Sequence, residues 1–228
     1  MSKFEDLEKK IGFSFENLSL LKEALTHRSY LNERPNWNFP HNERLEYLGD
    51  AVLELAVTEA LFHQFPELPE GELTVYRAAL VNYQMLSKIA LSFNLDEFIL
   101  MSKGEAKDVG KGREVILANA IEALIGAIYL DQGFEVTKRF VTHFVLSHLD
   151  DILKSGSYKD AKSTLQEIIQ DKLKVTPTYK VIEESGPAHQ KTFRVGVYFG
   201  NEFIETGTGN SKQEAELEAA RQALKKYQ

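Results

Sequence analysis

The sequence predicts an all-α domain followed by a small α+β domain, and three observations predict it. Apolar residues recur at three-and-four spacing through residues 1–153, the mark of helices with a buried face. A small polar stretch, "KSGSYKD", begins at Lys154 and reads as a linker over 154–159. From 160 to 228 the order becomes helix, three alternating segments, helix.

The elements follow in order. "MSKFEDLEKKIGFSF" is a charged amphipathic segment with no apolar signal-peptide core. "ENLSLLKEALTH", from Glu16 to His27, and "GELTVYRAALVNYQMLSKIALSF", from Gly71 to Phe93, carry helical periodicity. "REVILANAIEALIGAIYLDQG" is a helix closed by Gly133 as C-cap, and "EVTKRFVTHFVLSHLDDIL" is another amphipathic helix. Past the linker, "DAKSTLQEIIQDKL" is helical. "PTYKVIEES", "KTFRVGVYFG" and "EFIETGTG" alternate as strands, and "SKQEAELEAARQALKKY" is a helix with Ser211 as N-cap.

The chain has 228 residues, 43% hydrophobic and 27% charged, enough to bury a sizeable core. It has no cysteine, which excludes disulfides and thiolate metal sites and fits a reducing compartment. No stretch approaches the roughly 20 apolar residues of a membrane span, so a soluble, cytoplasmic protein is expected. Net charge is -7, which by itself argues against a nucleic-acid partner. The average hides an asymmetry: from Tyr158 onward 11 basic residues face 10 acidic ones, leaving 16 against 24 before it. The first domain tolerates or needs concentrated carboxylate.

That carboxylate gathers in "HNERLEYLGDAVLELAV", His41 to Val57. On a helix, Glu43, Glu46 and Asp50 fall within an arc of about 60°, while Leu45, Leu48 and Val52 lie opposite and anchor it. Like charges at this spacing destabilise an isolated helix by a few tenths of a kcal/mol per pair, and a divalent cation offsets that. Tyr47, Leu53 and Val57 flank the acids, so that side is not simply wet. A second helix repeats the arrangement, with Asn119 and Glu122 at i, i+3 and Leu117, Leu124 and Ile128 on the far side. Two such helices can share a metal site suited to phosphoryl chemistry. Solvated acids on an ordinary amphipathic helix remain the alternative that spacing alone leaves open.

"ERLEYLGDA", Glu43 to Ala51, resembles the signature helix of the ribonuclease III family. "ALTHRSY", "PEGELT", "RAALVN" and "SKGEAKDVGKGREVILANAIEALIGAIYLD" match its other blocks in order and spacing. The resemblance implies that Glu46, Asp50, Asn119 and Glu122 bind catalytic Mg²⁺, with Mn²⁺ as a substitute. Asp50 and Glu122 are then catalytic, and Glu43 is an acid near the cleavage point rather than a central ligand. It also implies a homodimer in which the signature helix packs at a two-fold interface, giving Leu53 and Val57 apolar partners. Position 119 departs from the family, whose usual residue there is aspartate. An amide oxygen still coordinates Mg²⁺ but brings no charge. Two readings stay open: an active enzyme needing more Mg²⁺, or a silenced protein that only binds double-stranded RNA.

The second domain resembles a double-stranded RNA-binding domain, which reads A-form shape through 2′-hydroxyl and phosphate contacts. By that resemblance Ser163, Gln166, Glu167 and Gln170 on its first helix, His189 in "SGPAHQK" and Lys212 at the last helix's start touch RNA. "SKQEAELE" has one Lys where the family usually has several basic residues, so weak binding by this module is expected. His27 reads as structural, Trp37 as packing the loop before the signature helix, and Lys107 and Lys111 as basic residues of a loop that tracks RNA. Gly104, Gly110 and Gly112 fit no phosphate loop, so no nucleotide cofactor is expected. The reading is a dimeric Mg²⁺-dependent endoribonuclease. It hydrolyses double-stranded RNA, including ribosomal precursors and other structured RNA, to 5′-phosphate and 3′-hydroxyl ends, with no membrane partner.

Overall fold

A computed structural model describes residues 3–155, 161–187 and 191–227. The chain divides into two compact units, Met1–Tyr158 and Lys159–Gln228.

The first unit is helical: α1 (Lys3–Ile11), α2 (Leu18–Ala24), α3 (Arg28–Glu33), α4 (Glu43–Gln64), α5 (Glu70–Val81), α6 (Tyr83–Ser92), α7 (Lys111–Phe144) and α8 (Leu149–Ser155). α8 thus runs two residues, Lys154 and Ser155, into the stretch read as linker. The periodic run from Gly71 to Phe93 is two helices, because Asn82 adopts extended backbone at ψ 157° and its side chain accepts from the Met85 N–H. Periodicity survives such a break, since a capping Asn restarts the same apolar stripe. At Gly133, φ of 78° interrupts α7, so the first helical stretch closes there as expected and a second follows at once.

α4 and α7 form the heart of the unit. From Ile116 to Ile128 every residue of α7 is buried except Asn119 and Glu122, which are half-buried. The expectation of an apolar far side understated this: the helix is apolar all round, apart from two polar side chains at i, i+3. On α4, Leu45 and Val52 are buried as expected, but Leu53 and Val57 are also fully buried, within the protomer's own core. The expectation that they await partners at a two-fold interface is therefore corrected. The apolar side chains that α4 exposes are Tyr47 (84%), Leu55 (57%) and Phe62 (63%). With the exposed Ala51 and Thr58, they occupy an arc of about 80° bordering the acids.

Side-chain capping organises the approach to α4. His27 is the N-cap of α3, its Nδ1 accepting from the Ser29 N–H at 3.4 Å and lying 2.8 Å from Ser29 Oγ. Burial holds its pKa below the ordinary histidine value. Trp37 donates from Nε1 to Thr26 Oγ1 at 3.2 Å and meets Tyr30 edge-on, packing the loop before α4. Both expected structural roles are met.

The second unit holds α9 (Ala161–Leu173), β1 (Pro177–Ser185), β2 (Thr192–Phe199), β3 (Glu202–Gly209) and α10 (Lys212–Tyr227). The sheet is antiparallel in the order β1-β2-β3. Gly200, at φ 61°, supplies the left-handed residue that the tight β2–β3 turn needs. Leu165 and Ile169 of α9, Val197 and Phe199 of β2, and Ala219, Ala220 and Ala223 of α10 form one core. The alanines let α10 lie close, and a Cβ on Gly207 of β3 would meet its backbone. Ser211 Oγ accepts from the Glu214 N–H at 3.1 Å, confirming the expected N-cap. The fold class is as the sequence predicts.

Candidate active site and nucleic-acid interface

The site begins with two glycines. A Cβ on Gly49 would fall on the Glu122 carbonyl oxygen and lie 2.8 Å from the Gly126 nitrogen. A Cβ on Gly126 would fall on the Leu45 carbonyl oxygen and lie 3.1 Å from the Gly49 nitrogen. α4 and α7 therefore touch backbone to backbone, closer than any side chain permits. Glu46 and Asp50 flank Gly49 on α4, and Glu122 lies one turn before Gly126 on α7. The close crossing brings acids from two helices within one another's field. A glycine inside a helix is destabilising by about 1 kcal/mol relative to alanine, and that oddity was the available sequence signal for a crossing point.

The field is visible in the carboxyl groups. Glu122 is pushed up to about 8, by burial first, then by the charges of Asp50 and Glu46. Glu46 is also raised, by burial and then Glu43, while a hydrogen bond from the Asn119 side chain lowers it and Asp50 raises it again. Glu46, Asp50, Asn119 and Glu122 thus form one group. Glu43 stands at its exposed rim, 3.5 Å from Arg28 Nη1 and 3.8 Å from His41 Nδ1. Arg28, from "ALTHRSY", is a neighbour that charge patterning did not indicate, since it belongs to another helix.

Among the described residues no three His, Asp or Glu side chains are placed so that they could hold a metal ion by themselves. The donor set nevertheless fits a hard divalent cation. All four side chains offer oxygen, and burial together with the charges of Asp50 and Glu46 raises the Glu122 carboxyl, a penalty that a cation between them would relieve. Mg²⁺ normally uses one or two protein carboxylates and keeps positions for water and phosphate, so an open set is the arrangement it favours.

In the second unit, Ser163, Gln166, Glu167 and Gln170 are all exposed along α9. Their spacing at i, i+3, i+4 and i+7 places them on one face. His189 lies outside the described residues. Lys212 is exposed at the start of α10, with Nζ 3.2 Å from Glu184 Oε1 and 5.7 Å from the Phe193 ring centre. In the first unit's loop, Lys107 sits in a 3₁₀ turn and Lys111 opens α7, its Nζ 5.7 Å from the Tyr83 ring centre. Among the described residues no helix is long and apolar enough to cross a membrane.

Comparison with known proteins agrees with this geometry. Residues 17–149 match the family described as Ribonuclease-III-like, and residues 161–227 match the Double-stranded RNA binding motif. Ribonuclease 3 of Carboxydothermus hydrogenoformans is 46% identical over 218 residues, covering 96% of this chain and 93% of that protein. Ribonuclease 3 of Borreliella burgdorferi is 44% identical over 225 residues, covering 99% and 90%. A solved nuclease domain of ribonuclease III from Campylobacter jejuni, described for flexibility in its dimer-forming region, superposes with a TM-score of 0.58 at 46% identity. It covers 64% of this chain and 97% of that one. The helical unit with its paired acids and the α-β-β-β-α unit behind it make this chain a member of the ribonuclease III family, an endoribonuclease.

Proposed function

We propose that this endoribonuclease cleaves double-stranded RNA with Mg²⁺ held by Glu46, Asp50, Asn119 and Glu122. Mn²⁺, another hard divalent cation, substitutes. The observation that carries the reading is the pair Asn119 and Glu122, polar side chains in an otherwise buried stretch of α7, facing Glu46 and Asp50 across a glycine crossing. When bound, the cation supplies Lewis acidity and charge neutralisation for phosphodiester hydrolysis.

The chain's own residues do the rest. Gly49 and Gly126 hold the two helices at contact, so the acids keep their separation as the charge between them changes. Asn119 donates toward Glu46 and keeps that carboxylate turned into the group. Burial and the charges of Asp50 and Glu46 raise the Glu122 carboxyl to about 8, so it would favour the protonated form near neutral pH. A cation held beside it would favour release of that proton to solvent. Arg28 holds Glu43 at the rim, where the backbone of an incoming duplex passes.

The products are 5′-phosphate and 3′-hydroxyl ends, and the substrates are ribosomal precursors and other structured RNA in the cytoplasm. Two copies associate through the exposed face of Tyr47, Leu55 and Phe62, which borders the acids and places two sites on one duplex. The face of Ser163, Gln166, Glu167 and Gln170, with His189 and Lys212, grips the RNA. The matched extent of the family and the intact carboxylates favour cleavage over a protein that only binds duplexes.

The test is cleavage of a long RNA duplex across a Mg²⁺ titration, with the product ends identified. Cutting on both strands to 5′-phosphate ends is the expected result. Binding without cutting at any Mg²⁺ concentration would overturn the reading in favour of a silenced protein.

A further inference from the structure

Three elements of the second unit converge on one carboxylate. Glu184, near the end of β1, pairs in register with Phe193 of β2. Lys191, one residue before β2, places Nζ 3.3 Å from Glu184 Oε2. Lys212, opening α10, places Nζ 3.2 Å from Glu184 Oε1 and lies over the Phe193 ring. Each carboxylate oxygen of Glu184 therefore faces its own ammonium group. The two ammonium groups hold the Glu184 carboxyl below its usual range. The neighbouring ion pair, Arg194 with Glu183, is looser at 3.9 Å.

We propose that Glu184 is an affinity-setting residue of the RNA interface, an internal anion that occupies the two lysines until a backbone phosphate displaces it. The inference rests on the reading of Lys212 as a phosphate contact. Its physical basis is that carboxylate and phosphate oxygens accept the same charge-assisted hydrogen bonds from ammonium groups, so the two compete. The pairs are exposed and individually weak, which makes the exchange easy rather than prohibitive. The trio of Lys191, Lys212 and Glu184 carries a net charge of +1 where the lysines alone would carry +2. Glu184 thus tunes the module toward weak, salt-tolerant binding and leaves selection of RNA to multiple contacts.

The experiment is equilibrium binding of a random-sequence RNA duplex to the full-length protein, over a salt titration in EDTA so that no cleavage occurs. The proteins are the wild type, Glu184→Gln, Glu183→Gln and Lys212→Ala. Removing the Glu184 charge is expected to steepen the log-log salt slope by about 0.9, the worth of one phosphate contact. Affinity at 0.1 M salt then rises by up to roughly eightfold, narrowing as salt increases. Glu183→Gln makes the same change in net charge on the adjacent residue and should stay near wild type. Wild-type affinity and slope in Glu184→Gln would overturn the inference, as would an equal gain in Glu183→Gln, which would assign the effect to net charge alone. Lys212→Ala separates the underlying reading. It should weaken binding and flatten the slope; if it does neither, the phosphate role of Lys212 fails, and the proposal for Glu184 with it.

Discussion

The two units place their functional side chains in opposite ways. In the helical unit the acids are brought together by backbone contact between α4 and α7, with glycine on both sides of the crossing and buried apolar residues around it. In the second unit the candidate RNA contacts are exposed side chains on a helix face and at a helix start, tied by surface ion pairs. The first arrangement sets partly buried acids against one another, and the second pairs opposite charges at the surface. Cleavage depends on holding several oxygens at fixed separations, whereas gripping a duplex depends on the sum of many replaceable contacts. Substitutions should therefore act steeply in one unit and gradually in the other.

The steepest expected effect is at the crossing. Gly49→Ala puts a methyl group on the Glu122 carbonyl and Gly126→Ala puts one on that of Leu45, so either change forces the helices apart. Overpacking of this kind typically costs about 1–3 kcal/mol or more, and displacing catalytic groups by about 1 Å can cost on the order of 100-fold in rate. Denaturant unfolding and single-turnover cleavage should show both losses. Near-wild-type cleavage in both variants would mean that the crossing does not set the geometry.

A smaller effect is expected at Asn119. Asn119→Asp restores a charge to the group, so the Mg²⁺ needed for half-maximal cleavage should fall severalfold, while stability in EDTA at neutral pH should drop. A Mg²⁺ requirement that does not move would remove Asn119 from the ligand set. The smallest effect belongs to α9. Gln166→Ala removes one exposed neutral hydrogen-bonding group, at about 0.5 kcal/mol. Duplex affinity should fall modestly with the salt slope unchanged, because no charge is lost. That constant slope is the opposite signature to the one expected of Glu184→Gln.

Much of this was legible in the sequence because it is local. Period-three-and-four and period-two patterns report which face is buried, and they placed most of the helices and the three strands. Ser211 was legible as a cap from its residue type at a helix start. The break at Asn82 was hidden because the apolar stripe continues in phase through it. The burial of Leu53 and Val57 was misjudged for a different reason. Periodicity on α4 cannot tell a face covered by α7 from one covered by another copy. The acids Glu43, Glu46 and Asp50 stood out through their spacing on one helix. Their meeting with Asn119 and Glu122 depends on a crossing about 75 residues away along the chain, which only the fold supplies. Arg28 beside Glu43, and Lys191 and Lys212 beside Glu184, are likewise contacts between elements. No spacing rule on a single element reports them.

The central claim is that the crossing of α4 and α7 holds mutually repelling acids that await a divalent cation. Thermal unfolding in EDTA against pH, repeated with Mg²⁺, tests it most directly. Because the folded-state pKa of Glu122 is raised to about 8 from 4.5, the folded protein binds more protons than the unfolded chain between those values. The contribution of Glu122 to stability is fully present below its unfolded pKa and is lost as pH rises through the folded one. The melting temperature of the metal-free protein should therefore fall between pH 5 and about 8.5, Mg²⁺ should restore most of it at the upper end, and Glu122→Gln should flatten the decline and blunt the Mg²⁺ response. A wild-type protein with no more decline than Glu122→Gln, and no response to Mg²⁺, would contradict the claim.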